Sequence, residues 1–278
     1  MGHTGTKVQM EEMFPWEFAE AIARTPLAYL PLGTLEWHGE HNVVGLDALK
    51  AHAVCVKAAQ ISGGVVVPAL YWAADSREEL PDGRYLTGGV EHGERYHVPG
   101  SMYWLKPETY LRLLLDIFEA MRRRGFQAIM VVAGHWSGET LAVIRTSGDR
   151  FKSLHPETAW LMLTDQQVAT DLGYPHEHAA GGETSLLMAI RPDLVDLDKT
   201  LETAGRLRNC YQLAPEHLRR RRATPNKYIG VLRGIQDESN DPETSASVER
   251  GQALLQAIAA RIAERAAALL EGNRSAVS

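Results

Sequence analysis

Cysteine is almost missing from this chain. Cys55 and Cys210 are the two in 278 residues, and they form no CxxC pair. That excludes a disulfide framework and a thiolate metal site, and both thiols read as core or incidental groups of a reducing compartment. Long apolar runs are also missing. None approaches the roughly 20 residues that a membrane-spanning helix needs, so no membrane partner is expected. The opening stretch MGHTGTKVQMEEMF has no basic segment followed by an apolar one, so no secretory signal is expected and the reading is cytoplasmic. Positive charge is in short supply. The net charge is −6, and the longest basic run, residues 219–222, reads as a solvated helix end or an interface. Nucleic acid is therefore not an expected partner.

What is present describes an ordinary globular protein. The hydrophobic share of 45% and charged share of 23% suit a chain that buries a sizeable core. Strand and helix signals alternate along it. Phe14, Trp16, Phe18, Ala19 and Ile22 suggest a short amphipathic helix. Residues 27–32 form the first apolar strand, and residues 48–61 suit a helix stopped by Ser62-Gly63-Gly64. A second strand is expected over 65–72, at an edge or with a bulge because Pro68 lies within it. Residues 73–106 lack sustained periodicity and are expected to lie over a site. Pro107 opens a helix whose stripe is Tyr110, Leu111, Leu114, Ile117, Phe118 and Met121, ended by Gly125. Strands over 126–133 and 159–164 flank a helix over 140–154. A helix from Leu186 to Ile190 stops before Pro192. Residues 191–246 read as mixed, and an Ala-rich helix over 248–270, stopped by Gly272, closes the chain. This order implies βαβ units and a largely parallel sheet covered on both faces, with ligands at the carboxyl ends of the strands.

Chemistry concentrates at those strand ends. Five of the eleven histidines fall in three places: His38 with His41, His135, and His176 with His178. Glu36 and His38 follow the first strand at i, i+2, a spacing that puts both side chains on one side of extended chain. Asp47 follows a loop holding Gly39 and Gly45. His135 leaves the third strand between Gly134 and Gly138, where glycine lets backbone turn and approach a ligand. Glu183 follows Gly181-Gly182 and opens a helix. Each residue alone has an ordinary structural explanation. Together Glu36, His38, Asp47, His135 and Glu183 make three carboxylates and two imidazoles, enough to hold two divalent cations with a shared carboxylate.

The motifs resemble those of the creatininase (creatinine amidohydrolase) family. The first family motif, approximately PxGSxEQHGPHLPxxTD, is similar to Pro31-Leu32-Gly33-Thr34-Leu35-Glu36-Trp37-His38-Gly39-Glu40-His41 through Asp47. The second, NGHGGN, corresponds to residues 133–138. The third, DxHAGxxETS, corresponds to Glu177-His178-Ala179-Ala180-Gly181-Gly182-Glu183-Thr184-Ser185. Residues 96–102, with Pro99-Gly100, resemble the family's FPGT segment, and residues 246–251 its ATxExG segment. The resemblance implies a single domain over 1–278 with a three-layer α/β/α sandwich and a mostly parallel central sheet. It implies a binuclear centre and a homohexamer. Carried over, Glu36 and His135 hold one metal, His38 and Glu183 the other, and Asp47 bridges. Some family members use a carboxylate two residues after the second-motif histidine. That position is Ser137 here, so Glu183 takes the role. His178 matches the catalytic histidine, and Glu177 precedes it.

Several substrate-facing positions depart from the family. Ala133 stands for Asn, Trp37 for Gln, Glu40 for Pro, and Trp136-Ser137-Gly138 for GGN. Creatinine is therefore not the expected substrate. Trp136 and Ser137 are the candidate substrate-binding residues, Trp136 as a wall for a flat or ring-shaped molecule or as a plain packing residue. The expected cofactors are two ions of zinc or manganese, with iron also compatible with these ligands. The expected activity is hydrolysis of a C–N bond in a small cyclic amide through a metal-bridging hydroxide. His178 protonates the leaving group, and Glu177 orients His178 or holds a polar substrate group. Two alternatives accompany it. The same centre could hydrolyse a C–C bond to open a cyclic polyol ketone of keto-inositol type. Or the chain could be a binding or assembly protein with a vestigial site.

Overall fold

The core strands read as nearly unbroken apolar runs: LAYLPL at Leu27–Leu32 (β1), Val65–Val66 (β2), AIMVVA at Ala128–Ala133 (β3) and AWLMLT at Ala159–Thr164 (β4). Runs without polar alternation suit strands that are covered on both faces. In the computed structural model they form one parallel sheet in the order β2-β1-β3-β4. The structure describes residues 7–74, 77–79, 85–87, 101–102, 104–174, 177–200 and 241–277.

Among the described residues, six main helices surround this sheet: Pro15–Arg24 (α1), Leu46–Ser62 (α2), Pro107–Arg123 (α3), Gly138–Leu154 (α4), Gly181–Ile190 (α5) and Val248–Val277 (α6). Side chains alternate between the two faces of a strand. Leu27 and Tyr29 of β1 and Met130 and Val132 of β3 meet α2, α5 and α6 through Val54, Leu186, Ile258 and Ile262. Leu30, Leu32, Ile129 and Val131 point the other way, against Leu114 and Phe118 of α3 and Ile144 and Phe151 of α4. Burying each such Leu, Ile or Phe contributes roughly 1.5–3 kcal/mol. The result is the expected three-layer α/β/α arrangement.

Several boundaries differ from the sequence reading, each for a local reason. Regular pairing of the second strand stops at Val66. The exposed Pro68 loops out, and Leu70 returns to bond the Pro31 carbonyl, so β2 is both an edge and a bulged strand. The first turn of α2 begins at Leu46, so Asp47 lies inside a helix rather than in the loop before it. Gly272 does not stop the last helix. Its α-carbon faces open space, and Asn273 ties the final turns down by donating to the Gln127 and Glu157 carbonyls at 3.1 and 3.0 Å. A single glycine in a helix costs only about 1 kcal/mol, which those contacts offset. Most of the segment expected over the site, with Pro99-Gly100, lies outside the described residues. So do His176, Cys210 and the arginines at 219–222.

The register decides where the chemistry goes. Leu32 pairs with Ala133, and Ala133 with Thr164. Gly33, Gly134 and Asp165 therefore leave the sheet side by side at its carboxyl edge. A β-carbon on Gly33 would lie 2.2 Å from the Ala48 nitrogen, and one on Gly134 would lie 2.3 Å from the Asp47 carbonyl oxygen. The first turn of α2 can sit on the strand ends only because both positions lack a side chain. Gly134 thus serves a backbone approach, as read from sequence, but the approaching group is α2 and not a ligand.

Candidate metal centre

Asp47 stands in the middle of the site. It lies in the first turn of α2, where a carboxylate is favoured by the helix dipole. Its two oxygens face different partners. Oδ1 lies 3.2 Å from His38 Nε2, and Oδ2 lies 3.2 Å from His135 Nδ1. Glu36 Oε2 approaches the same His135 nitrogen at 3.0 Å. Glu183 Oε2 lies 3.9 Å from His38 Nε2. All five side chains are buried.

These contacts define two groups of three potential ligand atoms, Glu36–Asp47–His135 and His38–Asp47–Glu183, and Asp47 belongs to both. The donor chemistry fits divalent cations: carboxylate oxygens and imidazole nitrogens, with no thiolate in either group. The tautomer of His38 fits as well. Its Nδ1 donates to the Glu36 carbonyl at 3.0 Å, which leaves the Nε2 lone pair aimed at two carboxylates. A lone pair facing carboxylate oxygens requires a cation between them, either a proton or a metal ion. Without a metal the proton stays. Burial pulls both imidazoles down, but Asp47 outweighs it at His38 and holds that ring at about 9, and Glu36 with Asp47 holds His135 at about 10.

His178 sits beside these groups with its ring centroid 4.3 Å from that of His38. Its Nε2 donates to the Trp37 carbonyl at 2.8 Å, so Nδ1 is the nitrogen facing the Glu36 carboxylate, at 3.9 Å. Burial pulls its pKa below the ordinary histidine value despite the carboxylates nearby. His178 also completes a third possible ligand group with Glu36 and His38. Glu177 accepts the Glu183 backbone N–H at 2.6 Å and so engages the first turn of α5. The contact that orients His178 is the Trp37 carbonyl. Ala179, next in sequence, has the one positive φ among non-glycine described residues, 55°. Its N–H donates to Glu183 Oε2 at 2.7 Å, and its carbonyl accepts from His41 Nε2 at 3.1 Å. The strained backbone is thus clamped on both sides.

The two substrate candidates are placed unequally. Trp136 is half-buried, with its indole N–H on Asp165 Oδ1 at 2.8 Å and its ring edge-on to Tyr174. Ser137 caps α4: its oxygen accepts from the Thr140 N–H at 3.2 Å and donates to the Thr140 hydroxyl. Trp37, one of the family departures, is buried and packs inside the protein.

Sequence reasoning missed Lys50 altogether. Its side chain is fully buried, and its ammonium pairs with Glu183 Oε1 and lies 3.5 Å from Asp165 Oδ2 and 3.6 Å from Asp47 Oδ1. Tyr174 accepts from it at 3.3 Å, and it lies 4.1 Å from the centre of a Trp136 ring. Burial opposes its charge, but Asp165, Glu183 and Asp47 outweigh burial and raise its pKa. Asp165 was missed too. Burial pushes it up to about 6 although Lys50 pulls the other way. One signal was available for each. Lys50 follows Asp47 at i, i+3 on the same helix face, and Asp165 directly follows a strand end.

Comparison with known proteins identifies the family and the fold. The model of the family described as "Creatininase: Creatinine amidohydrolase" matches residues 11–266. A creatinine amidohydrolase of Pseudomonas putida is 28% identical over 199 residues, covering 66% of this chain and 72% of that protein. A solved structure of creatinine amidohydrolase (creatininase) superposes with a TM-score of 0.65 at 22% identity, over 94% of this chain and 97% of that one. Another, described as "Creatininase Mn", gives 0.64 at 23% identity, over 93% and 97%. With motifs, fold and family model in agreement over most of its length, the chain belongs to the creatininase family of metal-dependent amidohydrolases.

Proposed function

We propose that this protein is a single-domain hydrolase over residues 1–278 that holds two divalent cations and cleaves a C–N bond in a small cyclic amide. Glu36, Asp47 and His135 would hold one ion, and His38, Asp47 and Glu183 the other. The observation that carries this reading is Asp47, whose two carboxylate oxygens each face a different imidazole at 3.2 Å. Charge balance supports it. Among the described residues, five carboxylates (Glu36, Asp47, Asp165, Glu177 and Glu183) and one ammonium, Lys50, are buried. Two divalent cations would bring these charges to balance. A manganese form exists among the creatininase structures this fold resembles, and the ligand set also suits zinc or iron.

When bound, such ions lower the pKa of water toward neutrality and polarise a carbonyl. The protein's own groups would then move the proton. His178 is held by the Trp37 carbonyl with Nδ1 facing the site. Its depressed pKa keeps that nitrogen unprotonated near neutrality. Nδ1 takes the proton lost by the attacking water and returns it to the leaving nitrogen as the C–N bond breaks, leaving an amine and a carboxylic acid that then releases its proton to solvent. Trp136 offers an aromatic wall beside the ligands, and Ser137 the adjoining turn. We also read the protein as a homohexamer, on the family resemblance alone.

The test begins with metal content. Elemental analysis of metal-supplemented wild type should give about two ions per chain, falling in Glu183→Ala. Loaded protein then meets a panel of cyclic amides and keto-inositols. Turnover of an amide supports the proposal, turnover of a keto-inositol moves the activity to C–C cleavage, and wild type without metal ends the hydrolase reading.

A further inference from the structure

Lys50 is the buried charge that the proposed chemistry leaves unused. It touches the two candidate subsites unequally. Its ammonium pairs with Glu183 and lies 3.6 Å from Asp47, both potential ligands of the His38 group. Its described ion-pair partners include neither Glu36 nor His135. Asp165 and the Trp136 ring also hold the ammonium, at 3.5 Å and 4.1 Å. Trp136 is itself tied to Asp165, and Tyr174 bridges Asp165 and Lys50. Lys50 therefore cannot swing away without leaving buried Asp165 without its counter-charge, which is costly.

We propose that Lys50 is a fixed cation of the site that competes with the ion at His38–Asp47–Glu183 and makes that subsite the weaker, exchangeable one. The inference rests on the two-ion reading above. A unit charge a few ångströms from a divalent ion repels it strongly in a water-poor site, and even with generous screening the effect exceeds about tenfold in affinity. The same ammonium lies over one face of the Trp136 ring. Lys50 acts through Glu183 and Asp47 and is a positioning residue, not a catalytic one.

The test is cobalt(II) titration of metal-free protein, followed by visible absorption, by elemental analysis after desalting, and by calorimetry. These readouts do not depend on turnover. Wild type should bind two ions in two steps, and the weaker step should tighten by about tenfold or more in Lys50→Met. Because Lys50→Met leaves buried Asp165 without its counter-charge and could fail to fold, Lys50→Met combined with Asp165→Asn removes a cation and an anion together. It keeps the carbonyl oxygen that Trp136 Nε1 needs, and Asp165→Asn alone is its control. Two ions in both wild type and variants, with identical constants and spectra, would overturn the role of Lys50 and leave the two-ion reading standing. One ion in wild type and two in the variants would support Lys50 as competitor and overturn the two-ion reading. No cobalt in any form would sink both.

Discussion

His178 is fixed at one nitrogen and open at the other. The Trp37 carbonyl takes Nε2–H at 2.8 Å, and Nδ1 faces the site. Replacing it with alanine removes a proton carrier and no member of the two groups that share Asp47. Turnover of the loaded enzyme should fall roughly 10²–10⁴-fold while metal content stays the same. A parallel loss of metal would instead assign His178 as a ligand, through the group it forms with Glu36 and His38. His41 carries a different load. Burial, partly offset by its bond to the Ala179 carbonyl, pulls it down to about 4. Between pH 6.5 and 4 the unfolded chain binds a proton there that the folded chain does not. Its contribution is therefore complete above about pH 6.5 and is lost as pH falls through 4, by up to about 3 kcal/mol. Urea unfolding of wild type and His41→Gln across that window should show the gap between them shrinking with acid. A gap that stays constant would mean His41 is already charged in the fold.

At the scale of elements, the site depends on how closely α2 seats on the sheet. Gly33 and Gly134 are the contact points, and Asp47 is delivered by that contact. Gly134→Ala puts a methyl 2.3 Å from the Asp47 carbonyl oxygen, where rigid backbone must give way. Overpacking of this kind costs about 1–3 kcal/mol, and a displaced Asp47 should lower metal content as well. Gly138→Ala is the matched control. Its added carbon meets nothing within 4 Å at the start of α4, so stability should hold or rise by up to about 1 kcal/mol. Denaturant midpoints with elemental analysis on both variants check the pair. Equal behaviour would mean that the α2 contact does not position Asp47.

At the scale of the whole molecule, the metal groups join segments far apart in sequence. Residues 36–47, 135 and 178–183 come from different βα units, and Lys50 and Asp165 link α2 to the end of β4. Ions bound there bind the folded state and not the unfolded chain. Chelation should therefore lower the melting temperature by roughly 10 °C, and returning the metal should restore it. Scanning calorimetry on stripped and reloaded protein measures both. No change on stripping would mean that the fold carries its buried carboxylates without metal. No helix among the described residues is long and apolar enough to cross a membrane.

Much of this was written in the sequence because it is local. Apolar runs, helical stripes and the alternation of the two predict the layers and the parallel sheet, and residues that follow strand ends must gather at one edge. That placed Glu36, His38, His135 and Asp165 together in principle, although only the histidines and Glu36 drew notice. Only the tertiary structure decided the rest. Lys50 and Lys57 lie two turns apart on one stripe of α2 and look alike in sequence. Register and the seating of α2 on Gly33 and Gly134 bury Lys50 completely against three carboxylates and leave Lys57 partly exposed. The two oxygens of Asp47 look alike as well until the helix turns each toward a different histidine. Periodicity specifies which face of an element is buried. Which charges meet beneath it depends on distances across the fold, and those are set by packing.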